Sequence, residues 1–219
     1  MDERDRKLVQ ELVLAYRDGA FPMNDPETGE IGFYDPDPRA ILPLAPEDGW
    51  HVPRRLHAQI RQQKFLLTTD KAFSDVVAAC AAPRVPRPGS RSVSAETWID
   101  GRLQYAYQRL FEAGHAHSVE AWVPTDAGPE LVGGIFGVHV GGFFAGESMF
   151  SRPERGGTNA SKICLVTLAN HLRARGFTLF DVQFHNPHLE QFGVRLVRRK
   201  HYRDLLARAV AQDVQWGSL

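Results

Sequence analysis

Apolar positions recur at helical spacing in six stretches of the chain, and each stretch predicts a helix. In DRKLVQELVLAYRDG, Leu8, Leu12 and Ala15 or Tyr16 share a face, and Gly19 supplies a C-terminal stop. PRRLHAQIRQQK reads as a helix with a basic face. DKAFSDVVAACA places Phe73, Val76, Val77 and Cys80 on one stripe. SAETWIDGRLQYAYQRLFEAG carries Ile99, Leu103, Ala106, Tyr107 and Leu110 at the same spacing, with Ser94 as N-cap and Gly114 as terminator. NASKICLVTLANHLRARG repeats Ala160, Cys164, Leu168 and Leu172, and DLLARAVAQ predicts a short closing helix. Between these stretches the period shortens. FLLTT, HSVEAWV, LVGGIFGVHV, GFFAGESMF, TLFDVQF and GVRLVRRKHY read as strands, the middle ones as a hairpin-linked antiparallel meander. Residues 21–50 are rich in Pro, Gly, Asp and Asn, which predicts an ordered loop with one short strand near Ile31–Tyr34 and no central strand.

This order of elements predicts an α+β domain with a mixed sheet and flanking helices. It resembles the acyltransferases of the GNAT class, preceded by a small N-terminal unit. The expected division is 1–45 for that unit and its linker, and 46–219 for the transferase domain.

Composition narrows the function classes. The 26 Lys+Arg and 26 Asp+Glu cancel, which excludes a wholly basic nucleic-acid binder while leaving room for local patches. The 43% hydrophobic and 24% charged residues are those of a globular chain. No apolar run reaches the ~20 residues of a membrane span. The charged start MDERDRKLVQ lacks a signal peptide's apolar core, so a cytoplasmic location is expected. Two cysteines outside any CxxC pattern suggest neither a disulfide framework nor a cysteine zinc site.

Glu147 stands in the apolar run FFAGESMF, where an unpaired charge is costly. Alternation places it on the face of Met149. Either it pairs with Arg152, Arg155 or Lys162, or it faces a cavity. Asp181 and Gln183 are two apart on a predicted strand and share a face, with Phe180, Val182 and Phe184 directed to the core. They form either a polar floor able to orient an amine or the solvated side of an edge strand. His115 with His117, and His185 with His188, have weak zinc spacing, and hydrogen bonding within the fold is the better reading. No P-loop and no GxSxG elbow occurs. Gly133-Gly134 and Gly141-Gly142 mark bulges, turns or close backbone approach. Three arginine-rich groups, the second being Arg84, Arg87 and Arg91, are candidate phosphate contacts, and Trp98 is a candidate stacking platform for an unpaired base.

FP at 21–22, DPDPRAILPL at 35–44, TWI at 97–99, AY at 106–107, GHAHSVEAW at 114–122, LVGGIFGV at 131–138, GESMFSR at 146–152, ASK at 160–162 and DVQ at 181–183 together resemble the leucyl/phenylalanyl-tRNA protein transferases. The resemblance runs from Ala15 over nearly the whole chain. It implies transfer of leucine or phenylalanine from aminoacyl-tRNA to the α-amine of proteins beginning with Arg or Lys, creating an N-terminal degradation signal. Methionine is left open as a third donor residue. The resemblance implies no cofactor and no metal, and a monomer is expected. Asp181 and Gln183 would hold the attacking amine, and Glu147 would complete an acidic site for the cationic N-terminal residue. Ile135, Phe144, Met149, Leu165, Leu168, Leu172 and Phe180 match the aminoacyl pocket. Trp98, Met23 and Tyr107 match the site of the tRNA acceptor end, and Arg84, Arg87 and Arg91 are assigned to its backbone. Phe144 and Met149 differ in parity, so both line one pocket only if a bulge lies between them.

The chain departs from the family pattern in three places. Met23 stands where some members carry a Trp, the N-terminal unit is short, and SRPERGGTNASK is long between SR and ASK. The alternative is an acyl-CoA-dependent N-acyltransferase, against which the absence of a Q/R-x-x-G-x-G/A pyrophosphate loop counts.

Overall fold

The computed structural model describes residues 1–25, 27–83 and 97–219. Helix α1 (Glu3–Arg17) begins where the Asp2 carboxylate accepts the Asp5 N–H at 2.8 Å and ends ahead of Gly19 at φ +80°. Strands β1 (Phe21–Asn24) and β2 (Ile31–Tyr34) form a separate two-stranded sheet. Strand β3 (Arg39–Leu42) leads to α2 (Arg54–Arg61), β4 (Leu66–Thr69), α3 (Phe73–Ala81) and α4 (Gly101–Glu112). The meander β5 (Ala116–Val123), β6 (Glu130–Val140) and β7 (Phe143–Ser151) follows. Helix α5 (Ala160–Arg175) crosses to β8 (Leu179–Gln183), and α6 (Pro187–Glu190), β9 (Arg195–Val197) and α7 (Arg199–Val210) close the fold.

The main sheet runs β4-β5-β6-β7-β8-β3-β9. All its pairings are antiparallel except β7 with β8. That connection needs a crossover, which α5 supplies. One sheet face packs against α1, α3, α4 and α7. The other packs against α2, α5, α6 and the C-terminal tail through Trp216. The architecture is the expected α+β one, with a mixed sheet between helical layers. Cys80 and Cys164 are both buried, one on each side. Among the described residues no helix is long and apolar enough to cross a membrane.

Three local expectations are corrected. The proline-rich segment contains three strands, and β3 lies inside the main sheet between β8 and β9. Its prolines flank the four residues RAIL and remove no donor from the ladder. The N-cap of α4 is Asp100, whose carboxylate accepts the Arg102 and Leu103 N–H groups at 2.9 and 3.0 Å; Ser94 lies outside the described residues. Strand β9 is only three residues long, and the closing helix starts at Arg199, so that Tyr202 is buried on its inner face.

Gly133 lets the start of α5 sit directly on β6, because a Cβ there would come within 2.4 Å of the Ala160 Cβ. Gly133→Ala is therefore expected to destabilise the fold by about 1–3 kcal/mol. Thermal unfolding checks this, and an unchanged midpoint would mean that α5 shifts freely on the sheet.

Candidate active site

Strands β7 and β8 are paired only along Phe143–Ala145, against 179–181. Beyond that point they separate. Gly146 stands at the parting, where a Cβ would meet the Phe180 ring at 2.9 Å. The cavity that opens there has a volume of about 1170 Å³. Its wall includes β7 from Gly146 onward, the start of α5, Phe21 and Met23 of β1, Trp98, and residues 182–186 at and beyond the end of β8.

Phe136 pairs with Ser148 and Gly137 with Gly146, which leaves Glu147 as the extra residue of a β-bulge. The bulge restores Phe144 and Met149 to one face, and both pack on the α5 side of the sheet. It also separates Glu147 from Met149. The Glu147 carboxylate turns to the other layer, accepting the Tyr16 hydroxyl at 2.9 Å on Oε1 and the Tyr107 hydroxyl at 3.0 Å on Oε2. Neither sequence alternative for its partner is complete, since it is capped by two phenols and also lines the cavity. Arg152 instead donates to the Leu131 carbonyl and Arg155 to Glu130, while Lys162 lines the cavity. Burial raises the Glu147 pKa, the two tyrosine hydrogen bonds oppose it, and the value settles at about 7. The same environment holds both phenols well above their ordinary value, first by burial and then by the Glu147 charge.

Asp181 is fully buried. Its Oδ1 accepts Arg39 Nε at 3.0 Å and the Gln183 N–H at 2.9 Å. Its Oδ2 accepts Arg39 NH2 at 2.7 Å and the Tyr202 hydroxyl at 3.0 Å. Burial opposes the Arg39 cation, but the Asp181 charge and hydrogen bonds outweigh it and raise the pKa above the ordinary arginine value. Gln183 ends β8 in the left-handed region at φ +56°, which breaks the alternation. Gln183 lines the cavity, and its Nε2 is buried with no hydrogen-bond partner among the described residues. Val182 is only partly buried, packing against the α5-side core while lining the cavity, and Phe184 is 46% exposed, so neither is buried in the core as alternation required.

Of the residues assigned to the aminoacyl pocket, Ile135, Met149, Leu165 and Phe180 line the cavity. Phe144, Leu168 and Leu172 lie in the core behind it, Phe144 at 5.9 Å from the Phe180 ring. Trp98 and Met23 line the cavity together. Tyr107 is buried behind them, edge-on to Trp98 at 6.4 Å, and reaches the site through Glu147. Arg84, Arg87 and Arg91 lie outside the described residues.

Of the four histidines weighed as zinc ligands, His115, His117 and His185 bond locally. His117 bonds Asp70 at 2.8 Å and stacks on Trp216 at 4.3 Å. His115 Nδ1 lies 3.3 Å from the His139 carbonyl. His185 pairs with Glu190 at 3.2 Å, and His188 is on the cavity wall. Sequence reasoning missed Tyr16, Arg39 and Tyr202. Arg39 had a signal, as a lone cation at the head of an apolar run. The tyrosines had none, since their positions on helical stripes read as plain core.

The family model described as leucyl/phenylalanyl-tRNA protein transferase matches residues 44–207, and that of the corresponding N-terminal domain matches residues 8–37. A leucyl/phenylalanyl-tRNA protein transferase of Akkermansia muciniphila is 48% identical over 208 residues, covering 94% of this chain and 98% of its own. One from Salinibacter ruber is 43% identical over 208 residues, covering 95% of this chain and 82% of its own. A solved GCN5-related N-acetyltransferase from Sphaerobacter thermophilus aligns with 86% of this chain and 53% of its own, at 16% identity and a TM-score of 0.41. The motifs that converge on the β7–β8 cavity are thus those of a chain that belongs to the leucyl/phenylalanyl-tRNA protein transferase family.

Proposed function

We propose that the protein transfers leucine or phenylalanine from aminoacyl-tRNA to the α-amine of proteins with N-terminal Arg or Lys, in the cytoplasm and as a monomer, marking them for degradation. One observation carries the reading. A single cavity holds an apolar wall of Ile135, Met149, Leu165 and Phe180, the half-buried carboxylate of Glu147, the amide of Gln183, and Trp98 beside Met23. The apolar wall suits a leucyl or phenylalanyl side chain, Trp98 the terminal base, and Glu147 the incoming cation. Residues 1–45 form the small N-terminal unit of this proposal, and that unit lends Tyr16 and Arg39 to the site.

The chemistry asks little of the protein. An aminoacyl ester is already activated, and the attacking α-amine has an ordinary pKa of ~7.7–8.0. The amine nitrogen bonds to the ester carbonyl carbon, the bond from that carbon to the ribose oxygen breaks, and the proton the amine gives up ends on the departing ribose oxygen as its hydroxyl. Placement of the two substrates supplies much of the acceleration, up to ~7–11 kcal/mol for well-oriented groups. Gln183, a neutral amide, orients the amine by hydrogen bonding and does not act as a base.

Labelled leucyl-tRNA and an Arg-initiated peptide test the reading. Saturable transfer to the peptide is expected, with none from acetyl-CoA; transfer from the thioester alone would overturn it. Trp98→Ala is expected to weaken aminoacyl-tRNA binding by ~1–3 kcal/mol if the indole stacks the terminal base. Unchanged affinity would place the acceptor end elsewhere.

A further inference from the structure

We infer that Arg39 and Tyr202 are positioning residues of the transfer reaction, acting through Asp181 on Gln183. The inference rests on the aminoacyl-transfer reading above.

Asp181 cannot meet a substrate itself, because it is fully buried and both its oxygens are occupied. One of those bonds leads to the site, since Oδ1 accepts the backbone N–H of Gln183 at 2.9 Å. Gln183 lies at φ +56°, a conformation that non-glycine residues keep only when their surroundings impose it. That backbone setting aims the one amide side chain of β8 that lines the cavity. Its Nε2 is buried without a partner among the described residues, so nothing else there fixes the side chain by hydrogen bonding at that atom.

The grip on Asp181 comes from outside β8. Arg39, 1% exposed on β3, contacts both oxygens. Its own freedom is small. NH1 donates to the Gly19 carbonyl at 2.8 Å, and the guanidinium lies between the Phe21 and Tyr202 rings at 4.8 and 4.7 Å. Tyr202 on α7 adds its hydroxyl to Oδ2 at 3.0 Å. Phe21 is itself part of the cavity wall, so the cation packs against that wall while it holds the carboxylate. The Asp181 carboxylate is thereby held in the rotation that meets the Gln183 N–H.

The test is a double-variant cycle on peptide transfer at saturating leucyl-tRNA. Gln183→Ala is expected to lower kcat by ~100-fold, the cost of misplacing a reacting group by ~1 Å. Tyr202→Phe, which removes one hydroxyl, is expected to lower kcat by about 10-fold and leave the KM for leucyl-tRNA within about twofold. Arg39→Lys should behave likewise. In the Gln183→Ala background, Tyr202→Phe should cost less than about twofold more, because residues acting through one another are not additive. Losses that multiply would overturn the inference and make Arg39 and Tyr202 merely structural. Hydrogen exchange resolved at the Gln183 amide gives a second measurement independent of activity. Exchange there is expected to be about 10-fold faster in Tyr202→Phe and Arg39→Lys than in the parent, on the scale of one lost hydrogen bond. Unchanged exchange would overturn the inference even where kcat falls. A parent protein that transfers nothing from leucyl-tRNA would refute the reaction reading, leaving the exchange result to decide whether Arg39 and Tyr202 hold Gln183.

Discussion

Arg39→Met is expected to lower stability by about 3–5 kcal/mol, the cost of leaving a buried carboxylate without its countercharge. For a domain of this size that is a fall in Tm of roughly 10 °C. The reason is the environment of Asp181, which is fully buried and takes three hydrogen bonds from Arg39, at 3.0, 3.2 and 2.7 Å. The Tyr202 hydroxyl and the Gln183 N–H remain after the substitution, but they are neutral donors and replace only part of what the guanidinium supplies. The double variant Arg39→Met with Asp181→Leu should recover at least half of the loss, since it removes the stranded charge as well as its partner. It should not recover transfer, because the Gln183 N–H then has no acceptor. A double variant no more stable than Arg39→Met alone would mean that the loss comes from packing of the guanidinium between Phe21 and Tyr202, and not from the charge.

Glu147→Gln is expected to change both the pH dependence of stability and that of transfer. Glu147 titrates at about 7 in the folded protein, against an ordinary 4.5. The folded state therefore keeps a proton that the unfolded chain has released. Its contribution to stability is fully present below about pH 4.5 and is lost as pH rises through 7. The gap corresponds to an upper bound of roughly 3 kcal/mol, lessened by water that enters the cavity and screens the carboxylate. The glutamine variant should match the parent at pH 4 and exceed it in stability at pH 8.

Transfer should move in the opposite direction. If the ionised carboxylate faces the cationic N-terminal residue, kcat/KM for an Arg-initiated peptide rises as Glu147 ionises. It rises again as the substrate α-amine loses its proton near ~7.7–8.0. The parent should show a log–log slope approaching two below pH 7, and the variant a slope of one. Above pH 8 the variant should transfer about 100-fold more slowly, in the range for removing one partner of a buried charge pair. A variant that retains the parent's slope and rate would return Glu147 to a structural role.

Much of the fold was legible from local pattern. The stripes of α1, α3, α4 and α5 face the core as their spacing required, and the three successive strand runs β5, β6 and β7 pair as the expected antiparallel meander. Helices α1, α3 and α4 bury one face each, so period carries the information there; β5 and β6 are buried along most of their length on both faces, so they were legible as apolar runs bounded by turn residues. A bulge was legible as a condition, because Phe144 and Met149 differ in parity; it is present and puts both on the α5 side of the sheet, Met149 on the cavity wall and Phe144 behind it. The cavity-lining residues named from the family's motifs, among them Glu147, Gln183, Trp98 and Phe180, converge in space.

Tertiary structure decided the rest, because long-range pairing leaves no period in the chain. A four-residue strand between prolines reads as loop until two neighbours, β8 and β9, are present to pair with it. Asp181 and Gln183 looked equivalent on one strand face, yet one became a buried anchor and the other the cavity residue. The left-handed turn at Gln183 and the arrival of Arg39 from 142 positions away separated them. Glu147 found its partners on α1 and α4, 131 and 40 positions distant. Sequence by itself determined which residues are candidates for the chemistry and where the apolar stripes lie. Only the packed structure determined which of those polar groups hold one another and which are left facing the cavity, since the cost of burying each charge depends on donors brought to it from other elements.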